Sequence, residues 1–135
     1  MYQQMIFVNL ATDDVAASRK FFTELGYSIN PQFSTDDCSC VVISDTIIAM
    51  LLSKQRYADF TKKEIADSTK TSEVLICLSA ESREKVDELV EKAVAAGGTA
   101  NDDVQDQGFM YGRSFEDLDG HSWEVMWMDP AAVQG

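Results

Sequence analysis

The sequence predicts an α+β fold: two βαβββ modules paired into a curved mixed sheet around a cleft, with the helices outside. Three observations carry this. The order strand, helix, then three strands occurs twice along 135 residues. The helix stop Leu25-Gly26-Tyr27-Ser28-Ile29-Asn30 is answered by Ala96-Gly97-Gly98-Thr99-Ala100-Asn101. The strand from Thr46 to Leu52 is answered by that from His121 to Met128, which sets Met50 opposite Glu124. A module of this size cannot bury a core alone. The two are therefore expected to form one domain over 1–135, with module 1 at about 4–53, a linker at 54–71 and module 2 at about 72–128.

Met5 to Ala11 alternates Ile6, Val8 and Leu10 against Phe7, Asn9 and Ala11, the period of a strand. Thr12-Asp13-Asp14 then supplies a helix cap and first-turn acids. Val15, Ser18, Phe21, Phe22 and Leu25 form the inner stripe of that helix, and Gly26 ends it in a left-handed conformation. Tyr27 to Ser34 resumes as a strand broken by Pro31, Asp36-Asp37 makes a turn, and Cys38–Ser44 and Thr46–Leu52 form a hairpin. Lys54 to Lys70 is polar with scattered Tyr57, Phe60 and Ile65, and reads as a linker holding a short helix, or as a flap.

Glu73 to Ser79 opens the second module as a strand. Ser82 caps a helix whose inner stripe is Val86, Leu89, Val90, Ala93 and Val94, stopped at Gly97-Gly98. Strands at Thr99–Val104 and Phe109–Phe115 lead to the stretch Phe115–Met128, FEDLDGHSWEVMWM. Its tight acidic turn at Asp117–Gly120 calls for glycine, because such a reversal needs positive φ. The strand after it puts Trp123, Val125 and Trp127 on one face and Glu124, Met126 and Met128 on the other. Both faces are largely apolar, so the strand is expected to be covered on both sides. A carboxylate there needs a partner, a raised pKa, a ligand, or water at a pocket mouth. The tail from Pro130 is expected to fray.

Composition narrows the function classes. At 45% hydrophobic and 25% charged residues this is an ordinary globular chain, and its net charge of −12 opposes nucleic acid and anionic lipid. No apolar run approaches the ~20 residues of a membrane span, and the first residues lack the pattern of a signal peptide. The three cysteines, Cys38, Cys40 and Cys77, read as reduced thiols. A cytoplasmic location is the expectation.

The whole chain resembles the vicinal-oxygen-chelate superfamily of glyoxalase I, bleomycin- and fosfomycin-resistance proteins and extradiol dioxygenases. The residues that carry the resemblance are Asp14-Val15-Ala16-Ala17-Ser18, Phe21-Phe22-Thr23-Glu24-Leu25-Gly26, Ala95-Ala96-Gly97-Gly98 and Glu116 to Glu124. Within it, the chain is similar to the bacterial group called predicted lactoylglutathione lyases. The resemblance implies a homodimer and, in metal-dependent members, four inward ligands for one divalent ion. It maps those positions to Phe7, Met50, Leu75 and Glu124, of which only Glu124 can ligate.

A catalytic metal needs about three protein ligands plus an open position. Sliding the register by one offers Val8, Leu51, Ile76 and Val125. Sliding it by two offers Asn9, Leu52, Cys77 and Met126, or Met5, Ile48, Glu73 and Ser122. None supplies three good ligands. The single histidine, His121, reads as turn packing, and Cys38-x-Cys40 lacks the spacing and further ligands of a zinc site. No cofactor is predicted, with a divalent metal as the alternative.

Strand alternation then lines the cleft with Phe7, Asn9, Met50, Leu52, Leu75, Cys77, Glu124 and Met126. Ile6, Val8, Leu10, Ile47, Val74, Ile76, Trp123 and Val125 back onto the helices. Arg113, if inward, would pair with Glu124 or hold an anionic ligand; the other reading is an external salt bridge. Three functions follow: a metal-free protein binding a small, partly apolar molecule; an enzyme, either a lactoylglutathione lyase-like or dioxygenase-like one with a displaced metal on Glu124, His121 or Cys77, or one using Glu124 as a metal-free general base; or a dimeric scaffold with a vestigial cleft. The first is the reading adopted.

Overall fold

The computed structural model describes residues 1–132 and builds a separate mixed sheet from each half of the chain. Two units result, Met1–Asp67 and Ser68–Gly135, the break falling inside the expected linker. The α+β class and the repeated module stand; hydrogen bonding resolves the predicted sheet into two, one per module.

In the first unit, strand β1 (Ile6–Thr12) leads into helix α1 (Val15–Glu24), followed by β2 (Ser28–Ile29), β3 (Cys38–Val42) and β4 (Ile47–Ser53). The sheet order is β1-β4-β3-β2, with β1 parallel to β4 and the other pairs antiparallel. Asp14 starts α1 by accepting a hydrogen bond from the Ala17 N–H at 3.0 Å, satisfying a donor that has no partner inside the helix. The Thr12 hydroxyl accepts from the Asp14 N–H and shares a 2.6 Å hydrogen bond with Ser18, which makes a polar residue acceptable on the inner stripe. Val15, Phe21, Phe22 and Leu25 complete that stripe, all buried. Each such side chain contributes about 1.5–3 kcal/mol through burial. Gly26 ends the helix at φ +106°.

The second unit repeats the order: β5 (Leu75–Ser79), α3 (Arg83–Ala95), β6 (Thr99–Ala100), β7 (Gln105–Asp106), β8 (Met110–Glu116) and β9 (Ser122–Met128). The intervening helix α2 (Lys54–Tyr57) is a single turn capped by Ser53 at the end of β4. The second sheet runs β5-β9-β8-β6, with β7 also paired to β8 and β5 parallel to β9. Its helix-facing side is the core: Val86, Val90 and Ala93 of α3 and Phe115, Trp123 and Val125 of the sheet are all buried. Phe115 and Trp123 are register partners whose rings stack nearly parallel, 6.4 Å between centroids.

Several local expectations are corrected. The strand expected at Tyr27–Ser34 is two residues long, and Pro31–Phe33 is a 3-10 turn capped by Asn30. Proline pre-sets the turn's φ and cannot donate to a ladder. The strand expected at Thr99–Val104 divides into the two-residue β6 and β7. Val94 is exposed and Leu89 only half-buried, so the inner stripe of α3 is narrower than predicted. The acids of α1 sit at and before its cap rather than in its first turn. Pro130–Ala132 forms a 3-10 turn with the Ala131 N–H bonded to Asp129, whereas the rest of the tail lies outside the described residues.

Candidate ligand pocket of the second module

The turn between β8 and β9 sets the site. Asp117, 7% exposed, accepts hydrogen bonds from the Asp119 N–H, the His121 N–H and the Trp123 indole, each at 3.0 Å. Gly120 closes the turn at φ +85°. Burial pushes the Asp117 carboxyl above its usual range, opposed first by the charge of His121 and then by the three N–H donors. This cap holds the start of β9, and the β8–β9 register places every side chain beyond it.

That register puts Glu124 between Cys77 on β5 and Ser114 on β8, all on the face away from α3. Leu75, Ser122, Met126 and Glu116 share the face by alternation. A cavity of about 410 Å³ opens there, lined by Leu75, Thr99, Ala100, Asn101, Ser114, Phe115, Glu116, Ser122 and Glu124. A neighbouring cavity of about 270 Å³ takes in Cys77, Asp103, Gln105, Met110 and Met126, and shares Asn101, Ser114 and Glu124 with the first. Glu124 is half-buried and, among the described residues, makes no hydrogen bond or ion pair. Its face is open rather than covered as the sequence suggested: Leu75 is 61% exposed. Partial desolvation, and then the Glu124 carboxylate, raise the Cys77 thiol above its usual range, so it is not an activated nucleophile.

Arg113 borders the second cavity, but its side chain reaches the other side of the sheet. It pairs with Val125, and its guanidinium reaches α3, donating to Asp87 at 3.0 Å beside the Tyr111 hydroxyl, which donates to the same oxygen at 2.6 Å. The external salt bridge is therefore the correct alternative, and Arg113 does not pair with Glu124. Hairpin counting from the Asp117–Gly120 turn would have found both this facing and Ser114, since Ser114 pairs with Glu124. Asn101 and Asp103 were missed because they lie between strands, and Gln105 because its two-residue strand is too short to show a period.

The segment bordering the second cavity is clamped from α3. Arg83 donates to both Asp106 oxygens at 2.9 Å and to the Gly108 carbonyl at 2.8 Å, with its guanidinium over the Tyr111 and Trp127 rings. Arg83, then the Gly108 N–H, hold the Asp106 carboxyl at about 2, against an ordinary 3.8. A depressed acid contributes stability that is full above its ordinary value and is lost as pH falls through its folded value. An NMR titration of the Gly108 amide should therefore show a midpoint near pH 2. Arg83→Gln should move that midpoint up toward the ordinary carboxylate range.

The remaining predicted lining residues lie in the first unit. Phe7, Asn9, Met50 and Leu52 share the face of its sheet opposite α1, with Asn9 and Cys40 flanking Met50 in register. Phe7 is 54% exposed, near the end of β1.

Comparison with known proteins agrees with this architecture. The profile of the bleomycin resistance protein-like N-terminal family matches residues 4–44. A hypothetical protein from S. aureus is similar over 94% of both chains, with a TM-score of 0.78 and 29% identity. A glyoxalase/bleomycin resistance protein/dioxygenase family enzyme from Burkholderia phytofirmans PsJN reaches 0.76 at 17% identity, covering 93% of this chain and 99% of its own. A glyoxalase-related enzyme from Fulvimarina pelagi reaches 0.77 at 21% identity, covering 93% and 88% respectively. The chain therefore has the fold of glyoxalase/bleomycin resistance/dioxygenase proteins. No curated protein matches its sequence significantly.

The residues of this chain do not fit the divalent metal that the resemblance implies. Glu124 is flanked in register by Cys77 and Ser114, and Phe7, Met50 and Leu75 offer no nitrogen or oxygen ligand. Among the described residues, the group of three side chains able to meet on an ion is Asp117, Asp119 and His121 in the turn, without Glu124. There the Asp117 oxygens already serve three N–H donors.

Proposed function

We propose that this chain binds a small, partly apolar cation, such as a hydrophobic amine, in the pocket of its second module. The observation that carries the reading is Glu124, a half-buried carboxylate on the wall shared by both cavities, with no protein donor or cation paired to it among the described residues. Glu116 and Asp103 add negative charge to the same lining. The one arginine on these strands is turned toward Asp87. Leu75, Phe115 and Met126 supply apolar wall, and methionine adapts to varied ligand shapes. The net charge of −12 favours approach of a cation.

The test is calorimetric titration with matched hydrophobic amines, alcohols and carboxylates. Amines should bind best, and Glu124→Gln should weaken them about 10- to 100-fold, the worth of a charge-assisted hydrogen bond, with the fold unchanged. Equal binding of amine and alcohol, or an unaltered amine affinity in the variant, would remove Glu124 from the site.

A further inference from the structure

We propose that Cys38, Cys40 and Met50 form a site for one soft monovalent cation, Cu(I), on the first module's sheet. Ser39 and Val41 are fully buried, and Ser39 meets Arg19 of α1, so the alternating Cys38 and Cys40 project from the opposite face. Met50 is the register partner of Cys40 on β4. Directly opposed side chains in an antiparallel pair have Cβ atoms about 5 Å apart. The three sulfur-bearing residues therefore share one face of the sheet within the first unit, none of them lines the Glu124 pocket, and binding would replace the 3.5 Å hydrogen bond from the Cys38 thiol to the Phe33 carbonyl.

The spacing decides between a disulfide and a metal. Two residues along a strand are about 6.6 Å apart at Cα with side chains nearly parallel, whereas a disulfide needs Cβ atoms only about 4 Å apart. An ion with metal–sulfur bonds of about 2.3 Å instead spans two sulfurs up to about 4.6 Å apart, within reach of two thiols leaning together. Two thiolates and a thioether are soft ligands, which favour Cu(I) over zinc. Among the described residues, no group of three metal-binding His, Cys, Asp or Glu side chains includes either cysteine. Each thiol releases its proton on binding, so the ion sits in a complex of net charge −1.

The backbone that carries these thiols is already held. Arg19 donates to the Cys38 carbonyl at 3.0 Å and to the Thr35 carbonyl at 2.7 Å. The Cys40 N–H donates to the Ser34 hydroxyl at 3.0 Å, and the Cys40 carbonyl accepts from the Asn30 N–H at 2.9 Å. Such fixed surroundings orient ligands before the metal arrives.

The experiment is anaerobic titration of the whole chain with Cu(I) against a chromophoric Cu(I) chelator, with Ag(I) as a redox-inert surrogate. One equivalent should bind and shield Cys38, but not the exposed Cys77, from alkylation, as read by peptide mapping, Cys40 being buried already. Cys38→Ser or Cys40→Ser should lower affinity about 100-fold or more, Met50→Leu about 10-fold, and Cys77→Ser not at all. Failure of the wild-type chain to compete for Cu(I) would overturn the assignment. So would retained affinity in Cys38→Ser, or loss of binding in Cys77→Ser. Should Cys40→Ser fail to fold, the mapping on the wild-type chain and the Cys38→Ser titration decide.

Discussion

Asp117→Ala is expected to lower stability by about 3–5 kcal/mol, because it strands three donors at once. The indole N–H of the buried Trp123 loses its acceptor, and the Asp119 and His121 N–H groups lose theirs. Asp117→Asn keeps an oxygen for the two backbone donors but turns an amide N–H₂ toward the indole, so about 1–2 kcal/mol is expected. Urea denaturation followed by far-UV circular dichroism measures both. An Ala variant within 1 kcal/mol of wild type, about the worth of one neutral hydrogen bond, would show that the cap is dispensable.

The pH dependence of the same residue has a defined sign. Burial raises the folded Asp117 pKa above its ordinary 3.8, so the folded state binds its proton more tightly than the unfolded chain. Its proton-linked contribution is full below that ordinary value and is lost as pH rises through the folded value. The stability advantage of wild type over Asp117→Asn should therefore be largest in acid and shrink above about pH 4. The depressed Asp87, Glu88 and Asp106 run the other way, and largely cancel in this difference.

Gly120→Ala is expected to cost about 2–5 kcal/mol: roughly 1–2 for a side chain at positive φ and the rest for collision. A Cβ there would lie 2.9 Å from the Ser68 carbonyl oxygen and 3.0 Å from the Thr69 Cα, and backbone atoms cannot swing aside. Gly26 is the control. It has φ +106° with open space around the missing Cβ, so Gly26→Ala carries only the conformational cost of about 1–2 kcal/mol. Equal losses in the two variants would mean that residues 68–69 yield to the turn.

The long elements were legible because each announces itself locally. Alternation marked β1, β4 and β9, and Ser18 and Phe22 were read onto the inner stripe of α1 where the structure buries them. The glycine stops at Gly26 and Gly97 both take positive φ. What escaped depends on partners distant in sequence. Asp87 shows nothing in its own segment of its bonds to Tyr111 and Arg113, nor does Arg83 of its clamp on Asp106. Two-residue strands have no period at all and exist only through pairing. Alternation points to Glu124 as the buried carboxylate, whereas Asp117, seven residues earlier in the turn, is the one taken out of water.

Both tryptophans of the chain, Trp123 and Trp127, lie on β9. One is sealed against α3 and the other lies beneath the Arg83 guanidinium. Intrinsic indole emission therefore arises wholly from side chains of the second module. Three of the four tyrosines, Tyr2, Tyr27 and Tyr57, lie in the first half, so tyrosine absorbance is weighted toward that half. Followed together during heating, the two optical signals separate a molecule that melts in one step from one whose halves part company.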